Sequence, residues 1–151
     1  MKKLFQLIPH VLAVFMSVVF LDSLRYKFTN HENTQVIFGK LDAWAATLGF
    51  PGTFATTGIF SQYVIGSAEL VAATLLLLGI MPALRKFQGL GALIALVVMS
   101  GAIFFPLFTP LGTDPNNDGG GLFVAACIIW LSSAVLVYMR RTYFLPNPKA
   151  T

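Results

Sequence analysis

The sequence predicts an all-α fold: an integral membrane antiparallel four-helix bundle with an extracytoplasmic amphipathic helix between spans one and two. Three observations predict it. Hydrophobic residues make up 56% of the 151-residue chain and charged residues 11%, against roughly 25% charged in ordinary soluble domains. So few charges cannot cover a water-exposed surface, and the mean hydropathy of +0.77 points to lipid as the covering solvent. The apolar residues gather into four long runs, and most basic residues sit beside those runs. The length suits one domain, a single transmembrane unit over residues 1–151.

The runs extend from about Leu4 to Leu24, Phe60 to Met81, Gly89 to Phe108 and Gly121 to Met139. Each is close to the ~20 residues that cross a ~30 Å hydrocarbon core. Lipid offers the backbone no hydrogen bonds, so each run should be helical. Met1-Lys2-Lys3 before an apolar stretch resembles a signal peptide. However, Asp22-Ser23-Leu24-Arg25 is a poor cleavage region, which predicts an uncleaved first span. Pro9 falls in its first turns, where proline is tolerated or introduces a kink. Met81-Pro82-Ala83 closes the second span. The short turn carrying Arg85 and Lys86 makes spans two and three an antiparallel hairpin. Pro106 and Pro110 close the third, and the Gly-, Pro-, Asn- and Asp-rich stretch from Thr109 to Gly121 is loop.

Tyr26 to Ile59 is too long for a hairpin loop and too polar to span. Within it Val36, Ile37, Leu41, Trp44, Ala45 and Leu48 fall at helical spacing, with Lys40 and Asp42 between them. This spacing predicts an amphipathic helix over Thr34–Leu48, capped near Asn33 or Thr34, with Val36, Ile37, Leu41 and Trp44 buried against the spans or lipid. Gly49-Phe50-Pro51-Gly52 stops it. Lys2, Lys3, Arg85, Lys86, Arg140, Arg141 and Lys149 fall on one side of the spans, against Arg25, Lys27 and Lys40 on the other. The positive-inside rule then makes this a multi-pass protein of the inner (cytoplasmic) membrane with both termini in the cytoplasm.

The formal charge of +4 forms no basic stripe interleaved with aromatics, so nucleic acid is excluded as a partner. Cys127 is the one cysteine, which rules out an internal disulfide or a CxxC pair. Met16, Met81, Met99 and Met139 share no spacing and read as packing residues. Gly79, Gly89 and Gly91, with many alanines, permit close helix approach.

Several segments carry a resemblance. Asp22-Ser23-Leu24-Arg25-Tyr26-Lys27-Phe28-Thr29-Asn30, continuing to Thr34-Gln35-Val36-Ile37-Phe38, is similar to the segment after the first span of the DoxX-like family. Gly66-Ser67-Ala68-Glu69-Leu70 resembles its second-span G-x-x-E-L signature. Phe108-Thr109-Pro110-Leu111-Gly112 and Asp118-Gly119-Gly120-Gly121-Leu122-Phe123 resemble the loop before its last span. The resemblance implies a four-helix membrane bundle. It also implies membership of quinone-linked oxidoreductase or redox-stress complexes, as some members have. Family membership fixes architecture better than activity.

Glu69 is the most informative residue. It lies roughly 13 Å along the second span, where a carboxylate costs several kcal/mol unless protonated, paired or hydrated. Arg25 is its expected partner because a guanidinium fork meets both carboxylate oxygens, with Lys27 the alternative. Asp22 shares a face with Arg25, and Gln62 and Gly66 share one with Glu69. These residues define an expected polar pocket of Glu69, Arg25, Asp22, Gln62 and Lys27, able to bind a quinone head or simply to hold the bundle. His31 and Glu32 lack the spacing of a zinc motif, and His10 lies at the other end of span one. Asp114, Asn116 and Asp118 match the start of a calcium loop, but its twelfth position is Ala125, so a turn is the plainer reading.

The leading expectation is therefore a DoxX-like membrane subunit of a redox-linked complex, with other membrane subunits and the lipid bilayer as partners; no cofactor is assigned, and quinone is a candidate ligand of the pocket near Glu69. The alternatives are a non-catalytic scaffold or assembly subunit, and a binder of a small amphiphile. An accessory subunit fits the residues better than a stand-alone enzyme, because no catalytic triad, phosphate loop or pair of haem ligands is present.

Overall fold

A computed structural model describes residues 2–144, with side chains from residue 5 onward. Of the residues used in the charge argument, Lys149 lies outside the described range, and the side chains of Lys2 and Lys3 are not described. The elements are α1 (Lys2–Phe28), α2 (Glu32–Thr47), α3 (Gln62–Leu78), α4 (Arg85–Phe108) and α5 (Gly121–Arg140), with short 3-10 turns at Pro82–Leu84 and Arg141–Tyr143. No strand occurs among the described residues.

Three helical stretches, Phe5–Phe28, Pro82–Phe108 and Gly121–Tyr143, are long and apolar enough to cross a membrane. α3 is equally apolar but has 17 residues, about 25 Å. It is shorter than the expected Phe60–Met81 because each end is stopped locally. Ser61 Oγ caps the start by accepting from Val64 N at 3.3 Å, and the chain turns through Gly79, Ile80 and Met81 at the other end. α1 continues past Leu24 to Phe28, since nothing in Arg25-Tyr26-Lys27 breaks a helix and basic residues suit its C-terminus. α4 starts at Arg85 rather than Gly89, which makes Gln88 helical. Pro106 lies inside α4 instead of ending it; at the last turn it removes one donor, and the helix stops only after Phe108.

Contacts place the helices around the bundle in the order α1, α3, α4, α5, with α5 returning to α1. Each neighbour is antiparallel. Ser17 Oγ of α1 donates to Ala73 O of α3 at 3.3 Å, and Trp130 Nε1 of α5 donates to Ser100 Oγ of α4 at 3.0 Å. Glycine permits the tightest approach: a Cβ added at Gly79 would lie 2.3 Å from Gln88 Cβ, and one at Gly91 would lie 2.8 Å from Ala72 O. The core combines alanines, among them Ala13, Ala72, Ala92, Ala95 and Ala126, with a few large side chains, Met16, Phe20, Leu76 and Leu136. Many other large aliphatic residues point outward. Val11, Val18, Val97 and Leu131 are each more than half exposed.

α2 lies over the loops at one end of the bundle. Leu41 and Ala45 bury against Phe54 and Leu111, with Ile37, Phe38, Trp44 and Phe105 packed around them. Asp42 Oδ1 accepts from Phe54 N at 3.0 Å, tying the following loop back to the helix. One expectation is corrected. The cap is His31, whose Nδ1 accepts from Asn33 N at 3.2 Å, one residue before the helix rather than within its first turn. The stripe packed on the bundle runs through Thr34, Ile37, Phe38, Leu41 and Ala45, which leaves Val36 off that face and exposed on the protein surface.

Candidate functional site

The extra turn of α1 brings Lys27 alongside α3. There Gly66 leaves a gap in the helix surface, and a Cβ added to it would touch Lys27 Cδ at 3.4 Å and Leu24 Cδ2 at 3.5 Å. The lysine stem runs along this gap and places Nζ 3.1 Å from Glu69 Oε2, with the two side chains 15% and 4% exposed. Lys27 Nζ also donates to Ser23 Oγ, one turn back on α1. The ammonium meets Oε2 away from ideal hydrogen-bonding angles, so the contact is chiefly ionic and this buried oxygen lacks a well-aligned donor.

A neutral polar chain continues toward α2. Gln62, buried at the start of α3, donates through Nε2 to Lys27 O and to Asn30 Oδ1, both at 2.9 Å. Asn30 takes a positive φ of 52°, a conformation asparagine tolerates better than most residues. Its carbonyl accepts from Gln35 Nε2 at 2.7 Å. A cleft of about 390 Å³ opens beside this chain, lined by Asn30, Gln35, Phe38, Asp42, Phe54 and Gln62 among others.

Of the residues expected in a polar pocket, the structure brings Lys27, Gln62 and Glu69 together and leaves Asp22 and Arg25 outside. Those two pair with each other at 3.4 Å on the outer face, 61% and 71% exposed. The expected Arg25–Glu69 contact is corrected to Lys27–Glu69. Residues two apart on a helix point about 200° apart at 3.6 residues per turn, so only one of Arg25 and Lys27 can face α3. Leu24 and Lys27, one turn apart, form the inward face. The guanidinium's better fork does not matter where its helix position turns it away. Ser23 and Asn30 belong to the site but escaped sequence reasoning. The usable signal was Ser23 lying four residues before Lys27.

The Asp114, Asn116 and Asp118 loop turns its carboxylates onto its own backbone. Asp114 Oδ1 accepts from Asp118 N at 2.7 Å, and Asp118 accepts from Gly120 N and Leu122 N, both at 3.0 Å. Slight desolvation works to raise the Asp118 pKa, but the donated N–H groups prevail and hold it below its ordinary 3.8. Asp118 thus caps the start of α5. Among the described residues no group of three or more His, Cys, Asp or Glu could hold a metal ion. Compared with protein-family models, with curated proteins and with solved structures, the chain matches none.

Removing one partner of a buried pair leaves an uncompensated charge. Glu69→Leu and Lys27→Met are each expected to cost roughly 3–5 kcal/mol, whereas Arg25→Ala, at an exposed pair, should cost less than about 1 kcal/mol. Denaturant unfolding of the purified protein in mixed micelles measures both. Equal losses for Arg25→Ala and Lys27→Met would sink the assignment.

Proposed function

We propose that the chain is a four-span protein of the inner membrane with both termini cytoplasmic. In this reading it is an accessory, DoxX-like subunit of a redox-linked membrane complex, and the Lys27–Glu69 site receives the polar head of a quinone. Three observations support insertion: the apolar helices, the many large aliphatic residues on their outer faces, and a core rich in alanine. At 17 residues α3 is at the lower limit of a span, which local bilayer thinning accommodates at modest cost. Orientation is supported by Arg85, Lys86, Arg140 and Arg141 gathering at one end while Asp114 and Asp118 lie at the other.

The observation that carries the binding reading is the ion pair with its unshared hydrogen-bonding capacity. Lys27 has three N–H donors by chemistry and directs one to Ser23. A quinone carbonyl can accept another. A quinol hydroxyl can donate to Glu69 Oε2, which lacks a well-aligned donor. The neighbouring cleft at Gln62 and Asn30 offers a route for such a head group, or for that of another small amphiphile. A scaffold or assembly subunit is the second reading, favoured because the same pair ties α1 to α3 without any ligand.

Two measurements test this. Reporters fused to the C-terminus and inserted within Thr113–Asp118 should report opposite sides of the membrane, and the same side for both would contradict four spans. A water-soluble quinone analogue titrated onto the protein in nanodiscs should raise its unfolding midpoint, as binding at a hundredfold excess over Kd is worth about 2.7 kcal/mol. Glu69→Gln should keep the fold and lose that rise. A wild-type midpoint that does not move rejects quinone binding and leaves the scaffold reading.

A further inference from the structure

The opposite end of the bundle holds a second buried polar group that the proposed function does not use. Gln88 is fully buried in the first turns of α4. Its Oε1 accepts from Arg140 Nε at 2.8 Å and also from Arg140 Nη2. Its Nε2 faces His10 Nδ1 at 3.4 Å. One amide therefore joins α1, α4 and α5. It grips Arg140 by a single edge of the guanidinium and leaves the other edge available to an anion.

Arg140 borders a cleft of about 450 Å³, with Phe5, Leu7, His10, Arg85 and Met139 also in its wall. Among the described residues no carboxylate pairs with Arg85 or Arg140. The neighbouring cations are engaged elsewhere. Arg141 lies 3.9 Å over the Tyr138 ring and donates to Tyr138 O, and Lys86 lies 5.3 Å over the Phe87 ring. α4 begins at Arg85 without a side-chain cap, so its first N–H groups add positive potential at the same end.

We infer that this cleft binds a phosphate group, held by Arg85 and by the free edge of Arg140. The rule that places basic residues on the cytoplasmic side explains arginines at this end. It does not explain a fully buried glutamine spent on orienting one of them. A guanidinium presenting two N–H groups side by side matches phosphate oxygens. Phe5, Leu7 and Met139 give the cleft an apolar wall that suits the acyl side of an anionic phospholipid, the form of phosphate met at a membrane surface. Free phosphate would use the arginines alone. The inference is independent of quinone binding, and only its lipid form rests on membrane insertion.

The test uses the full-length protein in neutral detergent, with phosphatidylglycerol, phosphatidylcholine or inorganic phosphate added, and reads bound adducts by native mass spectrometry. Phosphatidylglycerol should be retained over phosphatidylcholine. Arg85→Gln, which leaves the Gln88 contact intact, should weaken retention about tenfold, the loss of one charge-assisted hydrogen bond. Arg140→Gln should weaken it at least as much, and Arg141→Gln should leave it unchanged. Inorganic phosphate bound with the same variant pattern, without lipid preference, assigns the site to free phosphate. Should Arg140→Gln fail to fold, Arg85→Gln decides. Retention unaffected by Arg85→Gln, or lost equally in Arg141→Gln, overturns the inference, as does no preference for either phosphate source.

Discussion

A charged carboxyl buried among apolar helices constrains everything around it. Glu69 stands on a helix whose other buried residues are uncharged, so its counter-charge has to come from another element. Lys27 supplies it, and several local features follow. α1 must stay helical beyond its apolar run to carry Lys27 far enough. Gly66 leaves the lysine stem a shallow bed on α3, where an added Cβ would come into van der Waals contact with Lys27 and Leu24. Gln62 must hold the end of α1 by Lys27 O and Asn30 Oδ1. Burying two charges is costly, and a buried pair contributes more to uniqueness of arrangement than to net stability. Here it sets the register of α1 against α3.

The same logic orders the rest of the bundle. Many large aliphatic side chains face outward while alanines and glycines line much of the inside, so close backbone approach and polar contacts help to hold adjacent helices. Gly79, at the end of α3, against Gln88 and Gly91 of α4 against Ala72 are approaches too close to admit a Cβ. Ser17–Ala73 and Trp130–Ser100 are the polar contacts along the helices. Both ends carry a buried polar side chain that joins elements, with Gln62 at one and Gln88 at the other. The two ends differ chemically. The Gln62 end contains its own acid and base, whereas the Gln88 end is cationic and incomplete.

Much of this was legible in the sequence, and what was missed has a common cause. The helices are legible because apolar runs of spanning length have few alternatives. Glu69 is legible because a charge within such a run is conspicuous. Its partner was not, since the choice between Arg25 and Lys27 depends on where α1 stops and how it is rotated, and one residue of rotation reverses the answer. Which apolar residues of α2 meet the bundle was equally hidden, as several phases of that helix present an apolar stripe. Gln88 lay just outside the expected third span, which begins at Gly89, because the 3-10 turn at Pro82–Leu84 leaves room for the helix to start earlier, at Arg85. The Asp114–Asp118 loop looked like half an ion site because capping and ion binding draw on the same oxygen-bearing residues.

Exchanging the two charges shows whether the Lys27–Glu69 ion pair fixes α1 on α3. Unfolding is measured in mixed micelles for Lys27→Glu, for Glu69→Lys and for the double exchange. Each single reversal is expected to be severely destabilising, because it buries two like charges together, and the double exchange to recover a large part of the loss. A double variant no more stable than the worse single one would contradict the pairing, since the two side chains would then not be each other's counter-charge.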